Sequence, residues 1–108
     1  MPTDDTATRF EQLVDMLTGE PGVTAPEGGR AFGGNALKTG GRIFAMLAGG
    51  TLVVKLPAAR VAAAIAAGDG GPFTAGKDRP MREWLSVAPD RPAVWEPLAR
   101  EALAFVSR

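Results

Sequence analysis

Apolar positions along this chain follow two periods, and the switch between them outlines the fold. Phe10, Leu13, Val14 and Leu17 recur at i, i+3, i+4 and i+7, the stripe of an amphipathic helix. Thr8 with Glu11 offers a capping box, and Asp4, Asp5 or Thr6 offers an earlier start. Gly19 and Glu20-Pro21 end the helix, and residues 20–29 carry no periodicity and read as a loop. From residue 30 to residue 56 the pattern is that of three strands in a meander, punctuated by Gly33-Gly34, Gly40-Gly41 and Gly49-Gly50. Gly33-Gly34 is expected to form a bulge or a close backbone approach.

The hairpin of 42–47 and 51–56 is the clearest piece, because Gly49-Gly50 suits the positive φ angles of a two-residue turn. That turn pairs Leu47 with Leu52, Ala45 with Val54 and Ile43 with Leu56, so six apolar side chains share one face. A one-residue slip would invert the faces. The opposite face then carries Arg42, Phe44, Met46, Val53 and Lys55, with Phe44 directly across from Lys55 in reach of a cation–π contact.

Pro57 opens the next helix, where its missing N–H costs nothing, and Gly68 closes the alanine-rich run 58–67. Residues 72–75 and 81–87 read as two further strands joined by the polar loop 76–80; Arg82, Trp84 and Ser86 share a face opposite Met81, Leu85 and Val87. After a turn at 89–92, Trp95, Leu98, Ala99, Ala102, Leu103 and Val106 form the stripe of a last helix, with Pro97 confined to its first turn. The order α-β-β-β-α-β-β-α predicts one α+β domain over residues 1–108, an antiparallel sheet packed with helices.

Quoted as they stand, Phe32-Gly33-Gly34-Asn35-Ala36-Leu37-Lys38, Gly41-Arg42-Ile43-Phe44-Ala45-Met46-Leu47 and Leu52-Val53-Val54-Lys55-Leu56 resemble the TfoX N-terminal domain family. The likeness continues through Pro72-Phe73-Thr74-Ala75-Gly76 and Arg79-Pro80-Met81-Arg82-Glu83-Trp84 into the closing helix. The resemblance implies a fold similar to the YjbR-like and secretion-chaperone-like α+β domains. It implies no catalytic, cofactor-binding or metal-binding residue. Competence regulators of that family carry a second domain that does not follow here, so their role is not implied either.

Composition narrows the chemistry. A 45% apolar fraction is that of a globular protein. The absence of cysteine excludes disulfides and thiolate metal sites, and the absence of histidine removes the usual general base and neutral metal ligand. Ser86 sits between Leu85 and Val87 with no base suggested nearby, and Pro2 lacks the strand context of proline-based tautomerases. Residues 71–78 nearly match a phosphate-binding loop, but Asp78 stands where a hydroxyl should hold Mg²⁺ and Pro80 follows where a helix should run. The expectation is a non-enzymatic domain without cofactor. No signal peptide or membrane-length apolar run is present, which points to the cytoplasm and away from the membrane.

Charge is zero overall but segregated. Residues 1–29 carry six acids against Arg9, and residues 30–82 carry eight bases against Asp69 and Asp78. One consequence is internal complementarity, an acidic helix lying over a basic sheet edge. The candidate interaction surface is Arg42, Phe44, Met46, Val53, Lys55, Arg82 and Trp84, serving a protein partner or a second copy as a homodimer. The alternative is a nucleic-acid-associated role for the basic 30–82 region, against which stands the neutral charge of the whole.

Overall fold

In the computed structural model, which describes residues 5–24, 36–48, 51–74, 80–88 and 92–107, the predicted elements form one antiparallel sheet with three helices. The first stripe builds α1 (Asp5–Leu17), burying Phe10, Leu13 and Leu17. It starts at the earlier of the two expected caps, so Thr8 and Glu11 lie inside the helix. One element goes beyond the expected order: β1 (Val23–Thr24) pairs with the end of β2 (Ala36–Thr39) through Val23 and Thr39. A two-residue strand is too short to show a period, which is why the stretch reads as loop.

β3 (Arg42–Ala48), β4 (Thr51–Lys55), α2 (Ala58–Ala66), β5 (Gly70–Thr74), β6 (Pro80–Val87) and α3 (Trp95–Ser107) complete the fold. The spatial order is β1-β2-β3-β4-β6-β5, so β6 inserts between β4 and β5 and Pro72 falls on an edge strand, where its missing N–H is tolerated. The β2–β3 turn is Gly40-Gly41, both at positive φ (58° and 82°), the geometry of a two-residue hairpin. Gly68 (φ 84°) ends α2 as expected. The 3-10 turn Pro92–Val94 leads into α3, whose Pro97 is its third residue.

The β3–β4 register pairs Ala45 with Val54 and Leu47 with Leu52, as the alternation predicts, and leaves residues 49 and 50 as the connection. Gly49-Gly50 and Gly33-Gly34 themselves lie outside the described residues. One core cluster joins Ala45, Leu52, Val54, Leu85 and Val87 of the sheet to Leu13 and Leu17 of α1, Val61 and Ala64 of α2, and Trp95, Leu98 and Ala102 of α3. At about 1.5–3 kcal/mol for each fully buried large side chain, this layer dominates stability. The Thr51 hydroxyl donates to the buried Val87 carbonyl, and the Trp95 indole N–H to the Ala88 carbonyl (3.4 Å).

Two irregularities break the regular ladder at one end of the sheet. Leu37 pairs with Ala45 and Lys38 with Ile43, so Phe44 is an extra residue on β3 with no partner on β2. This bulge re-aims Phe44, which is fully buried in the core cluster beside Ala45 and Leu37. The expected outward position of Phe44 and its contact with Lys55 are therefore corrected: strict alternation fails at the bulge. Val53 is also fully buried, although it keeps its predicted face, and leaves the candidate surface with Phe44. The second irregularity is in β6, where Pro72 pairs with Leu85 but Phe73 pairs with Met81. Arg82, Glu83 and Trp84 are passed over by β5 and turn toward β4, where Lys55 pairs with Trp84 and the Leu56 N–H donates to the Glu83 carbonyl (2.9 Å).

Candidate functional site

The two bulges meet across β4, and the side chains they redirect surround a groove of about 540 Å³. Arg42 from the start of β3, Lys55 from the end of β4 and Trp84 from the irregular part of β6 line one side of it. Ile43 and Phe105 supply an apolar wall, and Gly41 also lines the groove. Trp84 also lines a second, smaller groove of about 240 Å³, between α2 and β5–β6. There Ala62, Ile65 and Pro72 are its neighbours and Arg82 stands with them. The half-buried indole is thus the partition between two adjoining hollows.

Trp84 takes the place beside Lys55 that the sequence assigned to Phe44. The Lys55 ammonium sits 5.3 Å from the centre of the Trp84 ring, an attraction to the negative face of the indole. Glu83 is its nearest carboxylate at 3.7 Å, with both side chains well exposed. An exposed, loosely set pair of this kind contributes about 0–1 kcal/mol. Arg42 and Arg82 are exposed and have no ion-pair partner among the described residues.

The other cations are fastened differently. Arg60 of α2 donates two hydrogen bonds to Glu101 of α3, at 2.7 and 3.1 Å. Arg100 donates to Glu96 (2.8 Å) and Glu20 (3.0 Å), tying α3 to the segment after α1. The Glu101 hydrogen bond holds the Arg60 guanidinium above its ordinary value, and those to Glu96 and Glu20 do the same for Arg100. A raised arginine value means a stabilising contribution that is full below the ordinary arginine range and lost only as pH rises through the raised value in strong alkali. It is constant across neutral pH. The expected in-chain match of acidic N-terminal helix with basic middle is not what these pairs make. Glu20 pairs with Arg100, and the middle's Lys55 and Arg60 pair with Glu83 and Glu101.

Of the seven residues singled out from the sequence, Arg42, Lys55 and Trp84 converge and Arg82 joins them through the second hollow. Met46 is half-buried between Ala36 and Val53 and lines neither hollow. Phe105 escaped notice, yet it carries a signal: it is the aromatic of α3 that lies off the helix stripe. Ile43 escaped because unbroken alternation assigns it to the core. The first four residues of the phosphate-loop-like stretch form strand in β5, and residues 75–79 lie outside the described residues. Among the described residues no helix is long and apolar enough to cross a membrane.

The model of one family, the TfoX N-terminal domain, matches residues 23–106. That span runs from β1 to the last turn of α3 and takes in both bulges and every groove residue. No curated protein and no solved structure matches the chain significantly. The matched span covers most of the 108 residues, and the chain belongs to the TfoX N-terminal domain family.

Proposed function

We propose that this domain is a binding module, not an enzyme, and that the groove at the Lys55–Trp84 end of the sheet receives an acidic, partly apolar segment of a protein partner. One observation carries the reading: two cations without a strong acidic partner, Arg42 and Lys55, stand beside an indole and an aliphatic wall. Cations of this kind attract a carboxylate, while Trp84, Ile43 and Phe105 favour an apolar side chain next to it. Among the described residues the lining holds no hydroxyl or thiol nucleophile. Nucleic acid is the less favoured ligand. Lys55 occupies a face of the indole that a base would need for stacking, and Glu83 places a carboxylate beside it.

The test is a titration with capped eight-residue peptides alternating Glu and Leu, their Gln/Leu counterparts, and oligothymidine, followed by tryptophan fluorescence. Trp95 is buried, so Trp84 reports on the groove, and Trp84→Phe removes the response. The acidic peptide is expected to bind, to weaken with salt, and to bind about tenfold less well in Arg42→Ala, Lys55→Ala, equivalent to about 1.4 kcal/mol. Equal binding of the neutral peptide, or no binding of either, overturns the reading. Oligothymidine binding without peptide binding replaces it with the nucleic-acid one.

A further inference from the structure

The outward face of α1 has the chemistry that the groove lacks. Glu11 and Asp15 are exposed one turn apart on the same face, with exposed Gln12 and Met16 beside them. Met16 is the exposed large hydrophobic of the described residues, at 43%. Neither acid has an ion-pair partner among the described residues. Like charges at i,i+4 repel each other, so this face is left with a small electrostatic cost that a cationic surface would relieve.

Within one molecule the two surfaces do not meet. α1 docks beside the start of α3, where Arg9 lies over the Trp95 ring and Met16 lies by Ala93 and Glu96. The groove lies by the other end of α3, at Phe105, about 15 Å further along the helix axis at 1.5 Å per residue. Both α1 and the strands that build the groove are fixed by the common core. The acids Glu11 and Asp15 of α1 and the groove cations Arg42 and Lys55 are therefore matched in charge but held apart.

We infer that the acidic segment the groove receives is the Glu11–Asp15 face of α1 from a second copy of this chain. This rests on the reading of the groove given above and names its partner. In a two-fold dimer each α1 lies in the other's groove, so the contact is made twice and the assembly closes. Glu11 and Asp15 face Arg42 and Lys55, and Met16 lies against Trp84.

Charge exchange tests this. The chain is followed by sedimentation velocity over a concentration series at low and moderate salt. Glu11→Lys with Asp15→Lys in one variant, and Arg42→Glu with Lys55→Glu in another, are each expected to weaken self-association at least about tenfold. Mixing the two variants in equal amounts is expected to restore it, because each α1 then meets a groove of opposite charge. Thermal unfolding of each variant alone confirms that it folds; a variant that does not fold is replaced by its Gln counterpart, for which mixing is expected to restore association in part, because the unchanged α1 of one variant then meets the unchanged groove of the other. A wild-type chain that stays monomeric while the Glu/Leu peptide still binds overturns the second-copy assignment and leaves the groove reading standing. Association indifferent to both charge sets, or a mixture that stays monomeric, also overturns it. A monomer that binds no acidic peptide removes both.

Discussion

Two sets of cations in this small domain are built from the same residue types and used in opposite ways. Arg60 and Arg100 are each held by carboxylates at 2.7–3.1 Å, and they join α2 to α3 and α3 to the segment after α1. Arg42, Lys55 and Arg82 are carried on strands β3, β4 and β6 around Trp84; Lys55 has Glu83 at 3.7 Å and lies over the indole. The first set closes the helical layer over the core. The second is placed by two bulges, and its Arg42 and Arg82 have no ion-pair partner among the described residues. Position, more than residue type, separates the fastened cations from the others.

The sharpest way to break that comparison is to exchange neighbours across the bulge. Phe44 and Arg42 are two residues apart, yet Phe44 is fully buried and Arg42 is exposed. Phe44→Ala is expected to cost about 3–5 kcal/mol of stability, as for other buried phenylalanines. Arg42→Ala is expected to stay within about 0.5 kcal/mol. Chemical denaturation of both variants decides it. Equal and small effects would mean that Phe44 belongs to the surface after all and that the bulge does not turn it inward.

The same end of the sheet shows what the sequence made legible. Period, with the glycines and prolines that break it, was enough for the three helices, five of the six strands, and the Ala45–Val54 and Leu47–Leu52 register. It misled at Phe44, where one extra residue resets the alternation, and at residues 82–84, where β5 passes over three residues of β6. The first event leaves no trace in residue type, since no glycine or proline stands at Phe44; the second falls at Pro72 on β5, a residue type that marks edges and bulges without saying how many residues are passed over. The groove was legible only in part for that reason. Arg42, Lys55 and Trp84 stood out by charge and size, but their convergence depends on both bulges, and Ile43 and Phe105 had to be found in three dimensions.

Gly70 sharpens the contrast from the other side of β6. A Cβ added there would overlap the Ser86 carbonyl oxygen and press on Leu85, both in the strand that carries Trp84. Backbone on an inner strand cannot move aside as a flexible side chain would. Gly70→Ala is expected to destabilise by about 1–3 kcal/mol, the range of an overpacked core, with a lower melting temperature as the readout. An unchanged melting temperature would show that β5 shifts freely and that the β6 irregularity is not locked by its edge partner.

Glu83 competes with any incoming carboxylate for Lys55. Glu83→Gln keeps the shape and removes the competition, so the acidic Glu/Leu peptide is expected to bind about twofold to fivefold more tightly, the worth of an exposed ion pair. Isothermal titration of the two proteins measures it. Weaker binding in the variant would mean that Glu83 positions Lys55 for the ligand and does not restrain it.

The smallest effect is expected at the fastened set, and it is the control for all the others. Arg60 and Glu101 are exposed and make a two-point contact between α2 and α3. Much of the Coulomb attraction in such a pair is screened by solvent, and ordering two long side chains offsets more of it. Arg60→Gln is therefore expected to lower stability by only about 0.5 kcal/mol, and by less at high salt. Across neutral pH the loss should be constant, since the hydrogen bond to Glu101 raises a guanidinium value already far above that range. Peptide binding by Arg60→Gln should match wild type, because Arg60 lines neither hollow. If Arg60→Gln weakened the peptide as much as Arg42→Ala, total positive charge and not the groove would be steering the ligand. The distinction between the two sets of cations would then collapse.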